Sequence, residues 1–167
     1  MTIDVRNYNE FDRVILWEVG AQWDLTDYHI ALQKNCALLA IHFPQRADVM
    51  VDMRHTLIFP ADVVHAIIRR HYDDDFASNY GVCVIVSNTP IVRALFSIFS
   101  ASPFTRDRIL LADSTEKAMT VIQRRRLADG SGSSGGSQQT GSGGTQSTLA
   151  QVSTDNVMMQ MCVQEPV

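Results

Sequence analysis

Cysteine is scarce and poorly placed for cross-linking. Cys36, Cys83 and Cys162 are odd in number, far apart and form no Cys-x-x-Cys, so neither a disulfide framework nor a zinc site is indicated. Glycine is nearly absent where folding must occur. Seven of the nine glycines fall in residues 130–148, which leaves Gly20 and Gly81 for residues 1–129 and no glycine-rich phosphate loop. Long apolar runs are also missing. The longest charge-free run of residues 1–129 is 76–92, and Asn79, Gly81, Asn88 and Pro90 interrupt it. A membrane span needs ~20 apolar residues. The N-terminus has no basic start followed by an apolar core, as a secretory signal would. The expectation is therefore a cytoplasmic protein without an integral membrane segment. An excess of positive charge is lacking too. All 14 Lys and Arg lie in residues 1–129 beside 16 of the 18 acids, a net charge of −2 that argues against nucleic acid as a partner.

What is present is an ordinary globular composition, 46% apolar and 19% charged in 167 residues, enough for one domain. That domain is expected over residues 1–129. Residues 130–148 contain only Gly, Ser, Gln and Thr. They have nothing apolar to bury and read as a disordered linker. Residues 149–167 read as a disordered tail. Within it, Val157-Met158-Met159-Gln160-Met161-Cys162-Val163 is the one cluster suited to docking as a short linear motif.

Ile3 and Val5 alternate with polar neighbours, as in an edge strand, and Val14-Ile15-Leu16-Trp17-Glu18-Val19 forms a stronger one. Asp24 reads as a helix N-cap. Leu25, Tyr28, Leu32, Cys36, Leu39 and Phe43 then mark one helical face over residues 25–42, ended by Pro44. A short strand Asp48-Val49-Met50-Val51-Asp52-Met53 precedes a helix over residues 60–72, whose expected inner face is Val64, Ile67, Ile68 and His71. Val82-Cys83-Val84-Ile85-Val86 is apolar throughout, as in a central parallel strand. Thr89-Pro90 opens a third helix. Residues 108–112 form a last strand, and a helix over residues 115–128 follows, with Asp113 and Glu116 at capping-box spacing and Arg124-Arg125-Arg126 near its C-terminal dipole. The order β-β-α-β-α-β-α-β-α predicts an α/β fold: a mainly parallel sheet of four to five strands, about four helices and one antiparallel pairing at the β-β edge.

This order, carried by Leu16-Trp17-Glu18-Val19-Gly20 before a helix at Asp24, by Val49-Met50-Val51-Asp52-Met53, and by Val82-Cys83-Val84-Ile85-Val86-Ser87 before the helix at Pro90, resembles the STAS domain, in its SpoIIAA-like branch. The resemblance covers residues 3–128. It implies a non-enzymatic switch module without a cofactor, one that binds a kinase or other signalling regulator. Some members that it resembles are phosphorylated on a Ser or Thr in an Asp-Ser-Ser/Thr-Gly sequence after the strand that matches Asp52. Here the matching segment is Ile58-Phe59-Pro60-Ala61-Asp62, without hydroxyl or glycine, and Thr56 is the nearest hydroxyl. The SpoIIAA-like branch often lacks that serine.

Two sets of residues stand out as candidate sites. Asp52, Arg54 and His55 leave the C-terminal end of one parallel strand, and Ser87, Asn88 and Thr89 leave that of another. Ligands of open α/β sheets collect at such ends, and the helix N-terminus at Pro90 suits an anion. The competing reading is ordinary capping by Asn88 or Thr89 with an Asp52–Arg54 surface pair. A receiver-type phosphoacceptor role for Asp52 lacks the further acids that a magnesium site would need. The scattered histidines and Asp73-Asp74-Asp75 form no metal-ligand pattern, and no nucleophile, base and orienting group assemble into a catalytic set. In the third helix Arg93 is the only charge between Pro90 and Thr105. Its apolar excess, with Val92, Leu95, Phe96 and Phe99 as candidate contacts, points to a homodimer, a protein partner or an apolar ligand, or else to cover by the loop that follows. The leading expectation is a regulatory protein-interaction module, and the alternative is a module that binds a lipid or an anion.

Overall fold

A computed structural model of the chain describes residues 2–9, 13–42, 44–72, 79–100 and 107–131. In chain order the elements are β1 (Ile3–Asn7), β2 (Val14–Val19), α1 (Leu25–His42), β3 (Ala47–Asp52), α2 (Ala61–Tyr72), β4 (Tyr80–Val86), α3 (Pro90–Ser100), β5 (Ile109–Ala112) and α4 (Thr115–Ser131). They build one five-stranded sheet of order β1-β2-β3-β4-β5. The β1–β2 pair is antiparallel, and the three later pairings are parallel. The α/β expectation and its single antiparallel edge pairing hold.

Strand sequence decides which helix lies where. Each parallel strand pairs with its sequence neighbour, so right-handed crossovers carry α1, α2 and α3 over the same face. Ile15, Trp17 and Val49 pack there with Ala31 and Leu39 of α1, Val63 of α2 and Val92 of α3. Leu16, Met50, Val82, Val84 and Val86 point the other way and pack on Ala118 and Ile122 of α4. With both faces covered, the central strands are apolar at almost every position. At the β1 edge of the α4 face, charges stand in place of a helix. Arg6 reaches Glu18 at 2.6 Å and Asp4 at 3.2 Å.

Several details depart from the sequence reading. The inward side chain of α1 near its middle is Asn35, while Cys36 is only partly buried. Asn35 accepts a hydrogen bond from Trp17 Nε1 at 3.0 Å, and this buried indole N–H turns the helix toward the amide. In α2 the buried position is Val63 rather than Val64, with Ile67 one turn on. The side chains of Ile68 and His71, like residues 73–75, lie outside the described residues. The α4 cap is Ser114, whose Oγ accepts from the Lys117 N–H at 3.3 Å. Asp113 instead pairs with Lys117 Nζ at 2.6 Å. Helix α4 also continues through Ser131, two residues into the low-complexity stretch.

The end of the sheet where the parallel strands begin is tied by a buried carboxylate. Asp48 is fully buried. Its Oδ1 accepts from the Val82 N–H at 2.8 Å, and its Oδ2 accepts from Arg126 Nε of α4 at 2.7 Å. Arg46 Nε lies 3.5 Å from Oδ1, and the Arg46 guanidinium also pairs with Asp129. Arg126 Nη2 donates further to the Arg13 carbonyl at 3.2 Å. The Asp48 side chain fills an irregularity in β4, where the register steps from Ala47↔Tyr80 to Val49↔Cys83. Gly81 makes room for it: a Cβ there would stand 1.9 Å from Asp48 Oδ1.

Candidate functional site

The opposite end of the sheet, where β2, β3 and β4 finish, holds the residues singled out from the sequence. Asp52 closes β3 and is buried. Arg54 folds back on it, with Nη2 to Oδ2 at 2.6 Å, Nε to Oδ1 at 2.9 Å and the backbone N–H to Oδ1 at 3.1 Å. Burial alone would raise the Asp52 pKa, but the Arg54 guanidinium and N–H outweigh it and hold the carboxyl below its ordinary value. Arg54 is correspondingly raised, through its hydrogen bonds to Asp52. His55 is exposed on the following turn.

Ser87 follows β4 and is fully buried. Its Oγ lies 3.0 Å from Thr89 Oγ1 and accepts the Thr89 N–H at 3.2 Å. The Thr89 carbonyl accepts from Arg93 N–H at 3.2 Å, which makes Thr89 the N-cap residue of α3 and Pro90 its first helical residue. Asn88 is exposed. The fold thus brings the six candidates to one sheet end in two local units: Asp52 with Arg54, and Ser87 with Thr89. Both are engaged in pairing and turn formation.

Along α3, Val92 is buried in the three-helix core. It therefore supports the sheet and is no surface contact. Leu95 and Phe96 are half-buried and Ile91 is exposed; the side chain of Phe99 lies outside the described residues.

Sequence reasoning weighed the loop between β3 and α2 only as the segment matching a phosphorylated site and missed its exposed apolar surface. Thr56 is fully buried, with its N–H on the Met53 carbonyl at 3.1 Å and its Oγ1 3.4 Å from the Gly20 carbonyl. Phe59 meets Trp23 edge to face, with ring centroids 5.1 Å apart. Between these anchors Leu57 donates its N–H to Ala21 O at 3.2 Å, yet its side chain is 73% exposed and that of Ile58 is 58% exposed. The backbone is held on both sides while two large apolar side chains stand in water. The signal was present: Thr56-Leu57-Ile58-Phe59-Pro60 has no charge and no glycine, whereas loops are usually polar.

Among the described residues no three His, Cys, Asp or Glu side chains group as a metal site would, and no helix is long and apolar enough to cross a membrane. No protein-family model, curated protein or solved structure matches the chain.

Proposed function

We propose that the protein is a non-enzymatic regulatory module of STAS/SpoIIAA-like type, and that the β3–α2 loop is where it binds a kinase or other signalling regulator. One observation carries this reading: Leu57 and Ile58 are exposed on a backbone anchored through Thr56 and Phe59. An apolar contact already held in place loses little entropy when a partner covers it. The class of partner is the one that the resemblance implies. The pairing of Asp52 with Arg54 and of Ser87 with Thr89 favours a structural role for these polar groups over a free anion cradle.

The test is a comparison of the wild-type chain with Leu57→Ser/Ile58→Ser. Both positions are exposed, so the variant should keep its melting temperature. Loss of the two contacts should weaken partner binding by about 2 kcal/mol or more, the hot-spot scale. A kinase or regulator recovered with the wild type and lost from the variant supports the reading. Equal recovery by both proteins overturns it. So does a wild type that carries only lipid, or that is stabilised by phosphate compounds.

A further inference from the structure

Strand β5 ends the sheet: among the described residues no strand lies beyond it. The carbonyls of Arg108 and Ala112 accept from the N–H groups of Cys83 and Ser87, at 2.7 and 3.0 Å. By the alternation of a parallel ladder, the peptide groups of Ile109 and Leu111 point away from β4, toward the open edge. Beside this edge runs a shallow cleft of about 300 Å³ between β5 and α4, lined by Leu110, Val121 and Ala128 with Arg124 and Arg125. An edge with no further strand among the described residues, beside an apolar, cationic cleft, accepts an extended segment that is apolar and acidic at its ends.

The chain contains such a segment after α4. In Val157-Met158-Met159-Gln160-Met161-Cys162-Val163, every second residue from Val157 is apolar, while Gln160 falls in the other set. Met158 and Cys162 make the run apolar on both sides of Gln160, as in a short strand buried among other elements. The only two acids beyond residue 129, Asp155 and Glu165, bracket it and match the cleft arginines in charge. The 25 residues from 132 to 156 would span about 25–30 Å as a flexible chain. They start from α4, whose last turns form the cleft wall.

We propose that residues 157–163 add to the free edge of β5 as a sixth strand, with Val157, Met159, Met161 and Val163 laid into the cleft against α4. Tethering supplies the segment at an effective concentration of about 1 mM. An intrinsic affinity near 0.1 mM would then keep the edge covered about nine-tenths of the time.

Amide hydrogen exchange on the full chain tests this. The variant Met159→Asp/Met161→Asp alters only the added strand and leaves the described domain intact. Exchange at Ile109 and Leu111 should be about tenfold faster in that variant than in the wild type, the ratio set by the two concentrations above. Gln160→Glu, on the outward set, should keep the wild-type rates. Equal rates in the wild type and Met159→Asp/Met161→Asp would overturn the proposal. An equal loss of protection from Gln160→Glu would overturn its register. Protection that grows with protein concentration would overturn docking within one chain in favour of docking between copies.

Discussion

At the scale of single residues, Asp48 is the most deeply buried charge among the described residues. Its removal strands the Arg126 guanidinium and leaves the Val82 N–H without its acceptor. Breaking one side of a buried pair costs about 3–5 kcal/mol, so Asp48→Ala should lower stability by that amount in urea titration. Gly81→Ala should be severely destabilising as well, because its methyl group would occupy the carboxylate's place. In the Asp48→Ala background the same substitution should cost far less, a non-additivity that reports direct contact. Asp52 predicts a pH dependence. Its folded pKa is lowered, so the stability it contributes is complete above the unfolded pKa of about 3.9 and is lost as pH falls through the folded value. Asp52→Asn should therefore be less stable than wild type at neutral pH, and the gap should close below about pH 4. Burial pushes the Cys83 thiol up to about 11, with a hydrogen bond from Tyr80 pulling modestly the other way. Alkylating reagents at pH 8 should leave Cys83 unmodified in the folded protein, as mass mapping would show. None of the Asp48 network was legible from the sequence. Asp48 read as the polar start of a strand and Arg126 as a dipole partner, and their separation of 78 positions hides the pair.

At the scale of elements, the sequence conveyed type and order well, because period two and period 3.6 are local properties. Rotation was less legible. The Trp17–Asn35 bond turns α1 toward a polar residue, a long-range requirement that an apolar stripe does not encode. Helix α3 shows the same limit. Its apolar excess is real, but Val92 faces the core and Ile91 faces water. Val92→Ala should cost about 2 kcal/mol in a thermal melt, the order expected for buried aliphatic surface. Ile91→Ser should change stability by no more than about 0.5 kcal/mol. The β3–α2 loop was noticed for its missing serine and not for its surface. An apolar run reads as buried until the anchors at Thr56 and Phe59 are seen to hold Leu57 and Ile58 outside.

At the scale of the whole molecule, strand order in space equals strand order along the chain. As the chain leaves the ribosome, each new strand can add to an edge that is already formed. The β1–β2 pair comes first, and β3, β4 and β5 follow without any earlier strand having to move. The α4 side of that growing sheet stays uncovered until the last helix appears, since Leu16, Met50, Val82 and Val84 wait for Ala118 and Ile122. Asp48 and the Arg13 carbonyl wait for Arg126, and Arg46 waits for Asp129. Emergence of α4 is therefore the step that seals the domain. A nascent chain stalled before residue 115 should be protease-sensitive and a client for chaperones. One stalled after Arg126 has cleared the exit tunnel should resist digestion.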